Sequence, residues 1–345
     1  MEGAPEGTTA WRGRRGRLTV ADVARLAGVS APTVSRVLNG HSGVALATRR
    51  RVEAVLQEHS YQRTSTEPAP LLELTFHAID SLWALEIIRG VEAAARRHDL
   101  AVVLSEMQGR LTPGRGWAEQ MLTRRPTGVV SVLSDLTVQQ QHLLAARSIP
   151  LVVLDPTGEP LHETPSVGAT NYTGSLVATR HLLDLGHRRI AMLAGNQRWP
   201  FCRARLDGYR AAMDGAGVPV EPDLVRIGAL YVDDAVRDAT ALLERPDPPT
   251  ALMTTNDLQA LGVYEAARRL GVAIPRDLSV VGFDDLPFSR WVGPALTTVR
   301  QPLEAMGDTA AELVIALATG TGPVQHRVEL STDLVVRDST APPAR

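Results

Sequence analysis

The sequence predicts an all-α helix-turn-helix headpiece joined to an α/β domain built from two doubly wound parallel-sheet lobes. Three observations carry that prediction. The chain has 345 residues, more than one ordinary domain and enough for a small module plus a large one. Residues 19–58 hold three short stretches whose apolar positions repeat with helical spacing. Beyond residue 70, short apolar runs alternate with longer amphipathic stretches, as parallel strands covered by helices on both faces require.

In TVADVARLAGVSAPTVSRVLNG, which starts at Thr19, Val20, Val23, Ala24 and Ala27 form an i, i+3, i+4, i+7 stripe. Thr19 is placed to cap this helix, and Asp22 three residues later completes a capping-box-like pair. Gly28 ends it, because glycine accepts the left-handed conformation of a sharp exit. Ser30 caps a second helix, which tolerates Pro32 in its first turn and turns Val34, Val37 and Leu38 inward. A third helix, roughly Ala47–Glu58, buries Val52, Val55 and Leu56 and clusters Arg49, Arg50 and Arg51 near its start. Helix, short turn, helix is the geometry that lays a second helix in a DNA major groove. Periodicity alone fits a generic three-helix bundle as well.

In the larger part, LLELTFHA reads as a strand and Trp83–His98 as a helix. AVVLS, GVVSVLS and PLVVLD follow as buried strands, and RRIAMLAG, PTALMTT and LSVVGFD resume the pattern. About 270 residues of this exceed a single doubly wound unit, which argues for two lobes with a ligand between them. Ligands of such sheets bind beyond the carboxyl ends of the strands. Asp155 ends PLVVLD, Asn256 and Asp257 follow TALMTT, and Asp284 ends LSVVGFD. With Arg205 they offer acceptors and fork-shaped donors suited to vicinal hydroxyls, and Trp83 offers a face for the apolar side of a pyranose. Asp257 reads as a helix N-cap and Asp285 as a structural neighbour of Asp284. His187 also reads as structural, Trp199 and Trp291 as packing, and Cys202 as a small buried hydrophobe.

Composition narrows the function classes. Residues 1–63 hold ten Arg against five Asp and Glu, +5 within a chain of −2, so the remainder carries −7. A basic head on an acidic body points to a polyanion as the head's partner. One cysteine excludes an internal disulfide and a Cys-rich zinc site, and no metal or cofactor is expected. No apolar run is long enough for a membrane span, and the Arg-rich start lacks a secretory h-region, so a cytoplasmic location is expected. Catalysis is argued against by the absence of G-x-G-x-x-G, Walker, G-x-S-x-G and H-E-x-x-H motifs. Asp284 and Asp285, adjacent on a strand end, diverge too far to act as an acid/base pair.

The run DVARLAGVSAPTVSRVLNG followed by V…TRRRV closely resembles the DNA-binding headpiece of the lactose/galactose-repressor (LacI/GalR) family of bacterial transcription regulators. By position, the resemblance implies that Ala31, Pro32 and Arg36 face bases, with Arg36 able to pair bidentately with guanine. It implies phosphate contacts for Thr19, Ser30, Thr33, Ser35, Asn39, Thr48 and Arg49, which fix register without reading sequence. Relatives usually continue as Tyr-x-Pro-Asn-x-x-Ala-x-x-Leu, a hinge helix that wedges its Leu into the minor groove. Here the stretch is Tyr61-Gln-Arg-Thr-Ser-Thr-Glu-Pro-Ala-Pro70, so the Leu position is Pro70, the Ala position is Glu67, and Pro68 blocks a helical ladder. An extended hinge without that wedge is the expectation.

HLLDLGHRRIAMLAG, RARLDGYRAAM, TTNDLQALGVYEAARRLGVAIPRDLSVVGFDD and PALTTVRQPL resemble the same family's sensor domain, itself similar to periplasmic sugar-binding proteins. The resemblance implies three crossings between lobes, near 170, near 300 and in the final strands. The expected organisation is a basic disordered tail over 1–17, the headpiece over 18–63, a linker over 64–71 and the sensor over 72–338, with a tail over 339–345. Within the sensor, the N-lobe takes 72–169 and 302–325 and the C-lobe 170–301 and 326–338. Effector contacts implied by position are Asp80, Ser81, Arg205 of the R-x-x-G motif, Asn256, Asp284 and Gln301, with Asp155 and Trp83 added from the pocket argument. The implied partners are a pseudo-palindromic double-stranded operator, a mono- or oligosaccharide effector and a second copy of the chain. A nucleobase or phosphorylated metabolite remains open as effector, as does a sugar-binding or sugar-processing protein. STAPPAR carries no heptads, so a coiled-coil tetramer is not expected.

Overall fold

A computed structural model describes residues 19–38, 44–59, 68–79, 81–107, 112–133, 136–156, 164–322 and 327–344. The expected tail over 1–17, Asn39, Asp80 and hinge residues 64–67 lie outside these residues. The chain divides between Glu67 and Pro68 into two compact units.

The first unit holds α1 (Val20–Ala27), α2 (Ala31–Leu38) and α3 (Leu46–Glu58). Thr19 and Asp22 form a reciprocal capping box, the Thr19 amide donating to Asp22 at 3.0 Å and the Asp22 amide to Thr19 Oγ1 at 3.3 Å. Gly28 leaves α1 at φ +61°, and the Val29 amide returns to the Ala24 carbonyl. Val23, Ala24, Ala27, Val34, Val37 and Val52 close a small core between the three helices. Burying these apolar stripes against one another is what holds three helices of 8, 8 and 13 residues, each too short to persist alone.

The second unit contains two six-stranded sheets. The first takes β1 (Ala69–Phe76), β2 (Ala101–Glu106), β3 (Pro126–Val132), β4 (Leu151–Leu154), β5 (Ser166–Ala169) and β11 (Arg327–Leu330) in the order β11-β5-β4-β3-β1-β2, all pairs parallel. Against one face pack α4 (Leu82–Arg97) and α11 (Leu303–Thr319), and the core between them includes Leu72, Leu74, Ile87, Val130 and Val314. α5 (Arg115–Arg124) and α6 (Val138–Ala145) lie together, and Trp117, Met121 and Leu144 form a further cluster with Val129 of β3.

The second sheet takes β6 (Ile190–Ala194), β7 (Val225–Ile227), β8 (Ala251–Thr254), β9 (Ser279–Asp284), β10 (Thr297–Arg300) and β12 (Asp333–Val335) in the order β12-β10-β9-β8-β6-β7. Only β12 runs antiparallel, against β10. Tyr209, Met253 and Phe283 belong to one core cluster, with helices α7 (Asn171–Asp184) and α8 (Pro200–Gly215). Leu252, Val263 and Val280 belong to another, with α9 (Val232–Leu243) and α10 (Asp257–Leu270). These are the doubly wound lobes expected from the strand–helix alternation.

Three boundaries need correction. β1 begins at Ala69, whose amide bonds to the Arg125 carbonyl, so residues 69–71 belong to the first sheet and not to a linker. Pro70 is extended there. β11 pairs with β5 of the first sheet, so 326–338 is divided between lobes instead of belonging wholly to the second. The tail is built into the second lobe as far as Ala341: the Val280 amide donates to the Ser339 carbonyl, and buried His187 bonds to Ala341 O and to Ser279 and Thr250 hydroxyls.

Helices α4 and α11 cross closely enough that Gly90 and Gly307 face the opposite backbone; a Cβ on Gly90 would stand 1.9 Å from the Glu304 carbonyl. Gly90→Ala is therefore expected to lower stability in urea unfolding by about 1–3 kcal/mol, since neither backbone can yield cheaply. Gly116→Ala in α5 meets nothing within 4 Å and should be neutral or stabilising by up to about 1 kcal/mol.

Candidate functional site: an exposed helix face and an interlobe cleft

On α2, Val34 and Val37 point into the core while Ala31, Pro32, Ser35 and Arg36 are exposed, as one turn of helix separates the two faces. Thr19 and Ser30 are exposed at helix starts and Thr33 is half-buried. The Ser30 hydroxyl lies 2.8 Å from that of Thr33 and accepts the Thr33 amide at 3.4 Å. Thr48 and Arg49 are half-buried in the first turn of α3. α2 thus presents an exposed face of Ala31, Pro32, Ser35 and Arg36, with Arg36 as its one long cationic side chain.

A cleft of about 460 Å³ opens between the two lobes of the second unit, within the size of small-molecule sites. Ser81, Trp83, Asp155, Arg205, Asn256 and Asp284 all line it. Gln301 does not; it is buried behind Asp284, and its Nε2 donates to Asp284 Oδ1 at 2.7 Å. Leu133, Asp155 and Asp284, at the ends of β3, β4 and β9, have φ of +47°, +45° and +118°. Three such strained backbones, two from one lobe and one from the other, are the kind of cost that persists where a site demands it.

Arg205 is held on four sides. Its Nε donates to Asn171 Oδ1 at 2.8 Å, and its Nη1 to the Thr255 carbonyl and, at 3.5 Å, to Asp284 Oδ1. The guanidinium carbon lies 3.6 Å from the centre of the Phe283 ring and 5.1 Å from that of Phe201. Burial pushes the Asp284 carboxyl well above the ordinary carboxylate range; Arg205 and Gln301 pull it back, while Asp155 pushes it further up. Burial also lifts Asp155, to about 6, partly offset by Arg205. Asp285 is different: burial opposes its charge, but bonds from Arg300 at 2.7 Å and Arg337 at 2.6 Å prevail and hold it below the usual value. It faces away from the cleft, as a structural neighbour should.

Several assignments change. Asn256, not Asp257, caps α10, accepting the Gln259 amide at 2.9 Å, while its Nδ2 donates to the Leu230 carbonyl. Asp257 is fully buried one residue later, taking the Leu286 amide at 2.8 Å and the Thr298 hydroxyl at 2.6 Å. Ser81 caps α4 through Oγ. Trp199 lines the cleft instead of packing in a core, its ring 5.5 Å from Phe201 and edge-on to His77 of the other lobe at 6.1 Å. Trp291 is 81% exposed and packs in no core. Cys202 is buried, its thiol pushed up to about 12 by that burial. His77, Asn196, Phe201 and Tyr231 also line the cleft and were not anticipated. Phe201 carried a usable signal, since it stands four residues before Arg205 on one helix face.

Arg205→Ala should lower stability at pH 8 by about 3–5 kcal/mol, because it strands the buried Asp284 charge. Without the guanidinium the folded Asp284 binds its proton still more tightly than the unfolded chain does. Stability must then fall as pH rises from the unfolded carboxylate value, near 3.8, through the raised folded one. The penalty should be smallest near pH 4, and Arg205→Ala/Asp284→Asn should recover much of it at pH 8. Chemical unfolding of both variants across pH checks this; a pH-independent penalty would contradict it.

The sequence profile described as "Bacterial regulatory proteins, lacI family" matches residues 19–64, and that described as "Periplasmic binding protein-like domain" matches residues 179–340. The HTH-type transcriptional repressor PurR of Photobacterium profundum is 30% identical over 329 residues, covering 93% of this chain and 98% of that one. The HTH-type transcriptional repressor CytR of Escherichia coli is 30% identical over 333 residues, covering 93% and 96%. The transcriptional regulator CelR–cellobiose complex is 31% identical at a TM-score of 0.70, covering 94% of this chain and all of that one. The lac repressor dimer bound to operator and the anti-inducer ONPF is 28% identical at a TM-score of 0.69, with the same coverage. Taken with the exposed face of α2 and the interlobe cleft, these likenesses establish that the chain belongs to the lacI family of bacterial regulatory proteins and is a DNA-binding transcriptional repressor, not an enzyme.

Proposed function

We propose that this repressor binds a pseudo-palindromic operator as a homodimer and is controlled by a polyhydroxylated small molecule, a sugar of one or two rings, held in the interlobe cleft. The observation that carries the effector reading is the gathering in one cleft of two raised carboxylates, Asp155 and Asp284, with the clamped guanidinium of Arg205 and the indoles of Trp83 and Trp199. Paired acceptors and a fork of donors match vicinal hydroxyls, and aromatic faces match the apolar side of a sugar ring. The similar regulator solved with cellobiose supports a disaccharide-sized occupant. A nucleobase is the second reading, favoured by four aromatic walls, Trp83, Trp199, Phe201 and Tyr231, on which a planar ring could stack.

Coupling follows from geometry. Asp155, Leu133 and Ser81 belong to one lobe and Arg205, Asn256 and Asp284 to the other, so a ligand touching both sets the lobe angle. Effector and operator then change each other's affinity by the same factor, commonly about 1–3 kcal/mol. In the headpiece, Arg36 reads a guanine while Ala31 and Pro32 contact base edges. Thr19, Ser30, Thr33, Ser35, Asn39, Thr48 and Arg49 hold phosphates.

Arg36→Ala should weaken operator binding by about 1–3 kcal/mol and relax preference at one base position, measured on a randomised operator library. Uniform weakening across all sequences would make Arg36 a phosphate contact instead. A melting screen against saccharides, nucleosides and sugar phosphates tests the cleft: a ligand at about 100 times its Kd adds about 2.7 kcal/mol and a clear upward shift. Silence across the set would count against small-molecule control.

A further inference from the structure

Asp155 stands at the junction of two cavities. Behind the cleft lies a second space of about 370 Å³, at the crossing between lobes, and Asp155 and Phe201 line both. Thr170, Asn171, Tyr172, Thr173 and the exposed Glu329 complete the polar part of the second lining. Asp155 is only 4% exposed, and no described residue donates a hydrogen bond to its carboxylate, which opens on the two cavities. A buried carboxylate left in that condition is costly, and natural sites rarely carry one without a partner to come.

The partner the protein offers is already engaged. Arg205 is the one guanidinium in the described linings, and it is committed to Asn171, Thr255 and Asp284. Against it and the imidazole of His77 stand three carboxylates, Asp155, Asp284 and Glu329. The first turn of α7 borders the second cavity and its dipole offsets roughly half a charge, which leaves the junction negative. Strain on the Asp155 backbone, φ +45°, holds the side chain there. Such a place repels an anion and welcomes a donor that carries positive charge.

We propose that the effector presents a protonated amine to Asp155 at this junction, so that an amino sugar or a similar amine-bearing polyol is the preferred ligand and anionic metabolites are rejected. The proposal rests on the cleft being an effector site. It narrows the alternatives left open above, since a phosphorylated metabolite would bring its charge against the carboxylates. It also explains why Asp155 is retained unpaired: its cost to the empty protein is recovered when the amine arrives.

The test uses the full-length chain and its Asp155→Asn variant. Without ligand, the variant should melt at least about 2 °C higher at pH 8, where wild type buries an unpaired charge, with the difference closing towards pH 5. A lower melting temperature for the variant at pH 8 would make Asp155 a structural acceptor and overturn the proposal. In the second arm, hexoses, disaccharides and nucleosides are each tried in neutral, amino and phosphorylated form by calorimetry. The amino member of any binding series should bind wild type most tightly, and Asp155→Asn should lose at least about tenfold on it and little on the neutral member. A neutral or phosphorylated member that outbinds its amino counterpart overturns the proposal. If no series binds at all, the effector reading itself fails, and the unliganded melting curves still decide whether Asp155 is an unpaired acid.

Discussion

Arg205 is a cation withdrawn from water, and the cleft is arranged around the cost of keeping it there. A buried guanidinium survives only when its donors are met, and here they are met by groups from separate elements: Asn171 at the start of α7, the Thr255 carbonyl after β8, and Asp284 at the end of β9. Each attachment constrains another. Asn171 also donates to the Ala169 carbonyl on the last residue of β5, which ties the first crossing to the arginine. Asp284 is steadied by Gln301 at the second crossing. The guanidinium also lies over the ring of Phe283, with Phe201 further off. Two of the three passages between lobes therefore register at a single side chain.

The third passage is joined by neutral hydrogen bonds. The Thr170 amide donates to the Leu330 carbonyl, the Thr332 amide to Thr170 Oγ1, and the two threonine hydroxyls lie 3.0 Å apart. Nearby, Asp285 joins Arg300 at the end of β10 to Arg337 after β12. Across the cleft, His77 of one lobe meets Trp199 of the other edge-on. Leu286 shows a related economy: it follows β9 of the second lobe but belongs to the core of the first.

How much of this was legible follows from which forces act locally. The capping box of Thr19 and Asp22, the Gly28 exit and the inward Val34 and Val37 depend on neighbours within four residues, and all were readable. Strand ends were readable for the same reason, so Asp155, Asn256 and Asp284 could be placed at the cleft from the apolar runs that precede them. Long-range competition was not. Asp257 looks like a cap until Leu286 and Thr298, both far along the chain, claim its two oxygens and leave the cap to Asn256. β11 and β12 are separated by two residues yet enter different sheets, a choice made by the edges available at β5 and β10. Gln301 falls on an expected contact position, but its Nε2 is spent on Asp284, and the side chain is buried outside the cleft lining.

The same reasoning separates what the cleft must have from what it chooses. A clamped arginine with a paired aspartate serves any hydrogen-bonding ligand, because it orders the wall before the ligand arrives. Selectivity has to come from groups that the protein leaves unsatisfied, since only those gain differently from one ligand and another. Ser81 Oγ and Asn256 are each partly spent as helix caps, and Gln301 stands back from the space. Asp155 alone among the expected polar contacts is both inside the lining and without an internal hydrogen bond among the described residues. It sits in the first lobe, while Arg205 and Asp284 sit in the second. A ligand that meets Asp155 as well as the Arg205–Asp284 pair would span the lobes, so under the proposal above the group that selects the ligand would also transmit its presence.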